Sequence, residues 1–180
     1  ATAAATGRIV GLPASCDTPT GDDMGAADWA KGIDAVSARN RVACLDMAYQ
    51  GFGDGIAEDG AVVRMFLDAG IDFFVATSFS KSFSLYGERV GALSVVCESK
   101  GEADRVLSQL KRVIRSNYSN PPTHGAQVVT MILATPSLRA QWEAELATMR
   151  ERIKTMRVAL QQNLGNAVLQ QDTSFITRNR

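Results

Sequence analysis

Ser78-Phe79-Ser80-Lys81-Ser82-Phe83-Ser84-Leu85-Tyr86-Gly87-Glu88-Arg89-Val90-Gly91 sets one lysine among small hydroxyl residues, directly after the apolar run at residues 71–76. An arginine follows eight positions later, just before a second apolar run at residues 90–96. Two apolar runs with this linker predict two strands joined by a loop that carries the lysine at the rim of a sheet. A lysine at a strand end can lose hydration and act as an amine nucleophile, the property that carbonyl-condensing enzymes need. A solvated loop lysine leaves the same local composition. The linker is too short for a covering helix, so the strand at 90–96 is expected to run antiparallel to its predecessor.

Towards the amino terminus, residues 8–12 form a short apolar run that ends in a loop at Pro13. Residues 22–39 carry Ala27, Trp29, Ile33, Ala35 and Val36 at helical spacing, with Asp22 or Asp23 as the expected cap. Residues 42–48 read as a strand, 58–69 as an amphipathic helix stopped by Gly70, and 71–77 as the third strand. Repeated strand–helix–strand units demand a mostly parallel sheet with right-handed crossovers. Asp46 and Tyr49 then fall at the carboxyl edge of that sheet, where open α/β folds bind ligands. Asp46, between Leu45 and Met47, is expected to be partly desolvated and to seek a cation; a turn or capping carboxylate is the alternative. Gly51, Gly53 and Gly55 are too irregular for a dinucleotide fingerprint.

Towards the carboxyl terminus, residues 102–117 present Ala103, Val106, Leu107, Leu110, Val113 and Ile114 on one helical face, with Lys111, Arg112 and Arg115 near the end. Asn120-Pro121-Pro122 breaks that helix, and residues 127–134 begin another, bounded by Pro136. From Ser137, the expected cap, Leu138, Trp142, Leu146, Met149, Ile153, Met156, Leu160 and Leu164 recur at steps of three or four. That length suggests a spine linking two lobes, or else one helix of a coiled coil.

Bulk composition narrows the partners. The 19 basic and 19 acidic residues cancel and no basic block stands out, which argues against nucleic acid. Hydrophobic residues at 46% are enough for one good core. Cys16, Cys44 and Cys97 are odd in number and widely spaced, and His124 is the single imidazole, so reduced core thiols are expected and no metal site. No apolar run nears the ~20 residues of a membrane span, and residues 1–6 lack the basic start of a secretory signal. A cytoplasmic location is the expectation.

The lysine stretch resembles the cofactor-lysine segment of the class I pyridoxal-phosphate-dependent aminotransferases, the aspartate and aromatic amino acid family. The likeness extends to Leu45-Asp46-Met47-Ala48-Tyr49-Gln50-Gly51-Phe52-Gly53 and to Arg115-Ser116-Asn117-Tyr118-Ser119-Asn120-Pro121-Pro122. Three long motifs in order make a specific match. The resemblance implies an α/β fold: part of the large domain of a fold-type I enzyme, a mostly parallel sheet flanked by helices, with a long carboxy-terminal linking helix. By the same resemblance, residues 1–136 are a partial cofactor domain, 137–166 an interdomain helix, and 167–180 the opening strand of a small domain.

The resemblance also implies roles. Lys81 is the catalytic lysine and binds pyridoxal 5'-phosphate; Asp46 faces the pyridine nitrogen; Tyr49 donates to the phenolic oxygen. Thr18 stands where the family has asparagine, a departure that weakens that contact. Ser78 and Arg89 bind phosphate, and Arg115 reaches across a homodimer interface to the distal carboxylate of a dicarboxylic substrate. By sequence alone, an ion pair with Glu88 or a neighbouring helix is the alternative for Arg89, and Arg115 is equally a cation at a helix end. Ser78-x-x-Lys81 also matches the serine pattern of penicillin-recognising enzymes, but no Lys-Thr-Gly follows. The implied activity is transfer of an amino group between an aromatic or acidic amino acid and 2-oxoglutarate. Segments that complete the family's site are absent from the chain as written, so little turnover is expected from it alone. A non-catalytic α/β fragment or assembly module with a relic lysine is the alternative.

Overall fold

The computed structural model describes residues 9–16, 21–166 and 171–179. Its centre is a four-stranded sheet in the order β1 (Ile9–Pro13), β2 (Val42–Met47), β3 (Phe73–Ser78), β4 (Gly91–Val96). The pairs β1–β2 and β2–β3 are parallel, with Gly11 opposite Cys44 and Leu45 opposite Val75. β3 and β4 are antiparallel, with Phe73 opposite Val96 and Ser78 opposite Gly91. The short lysine linker thus has the consequence expected of it, and the sheet is mostly parallel.

Helices α1 (Ala26–Ala38) and α3 (Ala61–Asp68) are the two crossovers. Right-handed crossovers that advance in one direction put both helices on one face. That face holds the core: Trp29, Ile33 and Val36 of α1 and Val62 and Phe66 of α3 cover Ala43, Leu45, Met47, Phe73 and Val75. Phe66 and Phe73, both fully buried, pack with ring centroids 5.3 Å apart, and Trp29 meets Phe66 edge-on at 6.2 Å. Each such ring contributes roughly 1.5–3 kcal/mol of burial, so this aromatic file fixes the register of helix on sheet.

Several local expectations are corrected. α1 is capped by Gly25, not by Asp22 or Asp23, and the Gly25 carbonyl accepts the amides of Asp28 and Trp29. The segment expected as one helix divides into α2 (Ile56–Asp59) and α3, with Gly60 as the joint. None of the cysteines belongs to the core; all three are partly buried. At Cys97, desolvation, then the carboxylates of Glu102 and Asp72, hold the thiol above its ordinary value, against the pull of Arg105. No helix among the described residues is long and apolar enough to cross a membrane.

The carboxy-terminal half is helical: α4 (Lys100–Asn117), α5 (His124–Ala134), α6 (Pro136–Asn166) and α7 (Phe175–Arg178). α7 replaces the strand expected near Ser174, because the Thr173 carbonyl accepts the Ile176 amide and the Ser174 carbonyl those of Thr177 and Arg178, three and four residues on, which winds the chain into a helical turn. The Ser99 hydroxyl accepts from the Glu102 amide at 3.2 Å and caps α4. Ser99→Ala is expected to lower stability by about 1 kcal/mol, read as a lower denaturant midpoint at constant slope.

Candidate active site

The carboxyl ends of β2 and β3 and the amino end of β4 meet at one edge of the sheet, because β4 runs back against β3. Asp46 lies opposite Ala76 in the ladder, and Ser78 opposite Gly91. The Phe79 amide donates to the Val90 carbonyl at 3.1 Å, which closes the lysine loop at its base. Asp46, Ser78, Lys81 and Arg89 therefore issue from adjoining chain ends at the edge where an open α/β sheet binds ligands.

Within the loop, the Phe83 amide donates to the Phe79 carbonyl and the Ser84 amide to the Lys81 carbonyl, so Lys81 sits on a single helical turn. Ser84 and Arg89 both adopt left-handed backbone, at φ 55° and 52°. Each costs roughly 1–2 kcal/mol in a residue other than glycine, a cost that persists where the surroundings determine the conformation and that clusters at functional sites. Ser80 is buried at 6% exposure, and its amide donates to the Ser78 hydroxyl at 3.2 Å.

Lys81 Nζ lies 4.5 Å from the centroid of the Tyr49 ring. Two loops that are 32 positions apart in the chain thus meet at the one lysine that is partly buried; Lys31, Lys100, Lys111 and Lys154 are all exposed. The amine faces a phenol, and a cation at this range gains from the ring's negative face. Arg89 is exposed, and its Nη1 donates to the Tyr86 carbonyl at 3.0 Å. A guanidinium has five N–H donors, so this single bond leaves capacity for an anion.

Other expected residues stand differently. Asp46 is exposed, not desolvated: Leu45 and Met47 face the helices, so the two-residue period of a strand turns Asp46 to the opposite face. Arg115, also exposed, ends α4 and donates to the Ser119 hydroxyl; no contact joins it to Lys81. Thr18 lies outside the described residues.

The loop that carries Tyr49 is built on a residue that sequence reasoning passed over. Asp59, 5% exposed, accepts the amides of Gly51 and Gly53 on Oδ2 at 2.8 and 2.9 Å and that of Asp54 on Oδ1 at 2.9 Å. A side chain at position 53 would stand 2.5 Å from Asp59 Oδ1, and one at 51, where φ is +96°, 2.5 Å from Leu146 Cδ2. The glycines let carboxylate and helix approach the backbone. The legible signal was a cluster of glycine amides with no strand partner, which requires an acceptor.

α6 holds both loops. Trp142 Nε1 donates to the Ser82 carbonyl at 2.7 Å, and its ring stacks on Phe83 at 4.4 Å between centroids. Arg150 Nη1 donates to the Gly51 carbonyl at 2.9 Å, and Leu146, 1% exposed, fills the space between.

Residues 3–179 match the family described as Aminotransferase class I and II. The chain is 58% identical to an aspartate aminotransferase of Pseudomonas aeruginosa over 96% of its own length and 43% of that protein's. It is 45% identical to an aromatic-amino-acid aminotransferase of Escherichia coli, again over 96% of this chain and 43% of the other. Among solved structures, an aromatic-amino-acid aminotransferase from Burkholderia pseudomallei, covalently bound to pyridoxal phosphate, superposes with a TM-score of 0.95 at 56% identity. The superposition covers 98% of this chain and 44% of that one. The chain thus spans less than half the length of these relatives, and the fold expected from the lysine stretch is the one observed.

Proposed function

The chain belongs to the class I and II aminotransferase family, and from that premise we propose that it carries the pyridoxal-phosphate-binding core of an aromatic or aspartate aminotransferase. The parent reaction moves an amino group between an aromatic or acidic amino acid and 2-oxoglutarate. The observation that carries this reading is the Lys81 amine, held over Tyr49 at the sheet edge while the other lysines are exposed.

The donor set fits the cofactor: an amine for its aldehyde, a carboxylate for its ring nitrogen, a phenol for its phenolic oxygen, and a hydroxyl with a guanidinium for its phosphate. When bound, pyridoxal phosphate supplies the electron sink for carbanion chemistry. Lys81 would bind it covalently through Nζ and, once released, take up a proton at Nζ as base and then give it back as acid. The Asp46 carboxylate would hold a proton on the pyridine nitrogen. Tyr49 would donate a hydrogen bond from its hydroxyl to the phenolic oxygen, a task shared with Thr18. Ser78 and Arg89 would bind the phosphate, Arg89 by the forked geometry that suits two anionic oxygens. Arg115 would orient the distal carboxylate of an acidic substrate from across a homodimer interface.

In this reading, residues 1–136 are part of the large domain, 137–166 the interdomain helix and 167–180 the start of the small domain, in a cytoplasmic enzyme. The test is to add pyridoxal phosphate and look for a visible absorption band that borohydride converts to a fixed mass on the Lys81 peptide. Band and mass on that peptide are expected. Their absence favours the non-catalytic module.

A further inference from the structure

Trp142, Leu146 and Arg150 are spaced by four along α6 and therefore share one face of the helix. The outer two reach separate loops: Trp142 the carbonyl of Ser82, next to Lys81, and Arg150 the carbonyl of Gly51, two residues beyond Tyr49. Eight residues of helix span about 12 Å along a rigid axis. Neither bond is a local turn contact, since the partners lie 60 and 99 positions apart. Both are sheltered: Trp142 is partly buried, and the Arg150 side chain is 15% exposed. The Phe83–Trp142 stack and the Leu146–Gly51 contact prevent either loop from sliding along the helix.

We propose that Trp142 and Arg150 are positioning residues, two marks on one face of α6 that set the separation of the Lys81 and Tyr49 loops. Through them, the helix fixes the environment in which the Lys81 amine reacts. The proposal rests on the cofactor-lysine reading for its purpose but not for its geometry. It implies an effect at a distance: removing Arg150, which touches the Tyr49 loop alone of the two, changes the reactivity of Lys81.

The test is made on the full chain, first without cofactor, by trace labelling with acetic anhydride and mass spectrometry of each lysine peptide, with exposed Lys111 as internal reference. Arg150→Met is expected to change the relative rate at Lys81 by about three- to ten-fold, the worth of one net hydrogen bond. Arg150→Lys, which keeps a donor on a long stem, should recover most of it. Arg139→Met, a surface change on the same helix, should leave it alone. Should Arg150→Met fail to fold, Trp142→Phe, which keeps an aromatic ring against Phe83, decides the matter by the reciprocal measurement: the rate at which Tyr49 is nitrated by tetranitromethane should shift by a similar factor. Unchanged reactivity at Lys81 in Arg150→Met, or at Tyr49 in Trp142→Phe, overturns the proposal. Pyridoxal phosphate is then added to the wild-type chain. Failure of Lys81 to capture it, with the labelling shifts present, sinks the cofactor reading and leaves the positioning role standing.

Discussion

Lys81→Arg is expected to abolish covalent capture of pyridoxal phosphate while leaving the stability of the chain within about 0.5 kcal/mol of wild type. Arginine keeps a cation on a long stem, so the contact over the Tyr49 ring is retained, and stacked guanidinium groups suit such rings. What is lost is the lone pair. A guanidinium does not shed its proton in a protein, so no nucleophilic nitrogen is formed at any working pH. After addition of the cofactor and borohydride, the wild type should carry one added mass on the Lys81 peptide, and the variant should show only the slow, scattered labelling of exposed Lys31, Lys100, Lys111 and Lys154. Equal yield of labelled protein from the variant would mean that those surface amines, and not the loop lysine, capture the aldehyde.

The sheet and the lysine loop were legible because their signals are local. A run of apolar residues, a linker too short for a helix and a second run leave antiparallel pairing as the economical solution, and β3 and β4 adopt it. Boundaries were less so. Asp22 and Asp23 resemble caps as well as Gly25 does, and the choice among them depends on where Trp29 must enter the core. The apolar spacing from residue 58 to 69 continues across Gly60, yet the Gln50 amide takes the Ile56 carbonyl at 2.8 Å and Asp59 turns back to the glycine loop, so the helix restarts. For Asp46, apolar flanks suggest burial, whereas the alternation of a strand sends neighbours to opposite faces.

The site divides in the same way. Lys81, Tyr49 and Arg89 fall in two motifs, but their spacing carries no information that the lysine lies against the tyrosine. The periodicity of α6 predicted an apolar stripe, and Trp142 and Leu146 belong to it. It did not indicate that the stripe would end on the carbonyls of two distant loops, nor that Arg150, polar and off the pattern, would make the second contact. Such long-range polar contacts are set by tertiary packing, which a one-dimensional period cannot encode.

Asp59→Ala, at the end of α2, is expected to be the single change that most destabilises the loop that carries Tyr49, at about 2–4 kcal/mol. Three amides, those of Gly51, Gly53 and Asp54, lose their acceptor at once, and the first two are buried. Water can reach the cavity left behind only in part, so the loop must open or leave donors unsatisfied, at about 1–3 kcal/mol for each buried group. Because the same Gly51 supplies the carbonyl for Arg150, opening the loop also loosens its tie to α6. Asp59→Asn, which keeps one carbonyl acceptor but sets an NH2 group against amide donors, should cost about half as much. The denaturant midpoint of each variant at unchanged slope gives the loss, and amide exchange should locate it at residues 50–54. Should Asp59→Ala cost under about 1 kcal/mol, those three amides already find water in the folded chain, and Tyr49 is held in place by Arg150 and Leu146 instead.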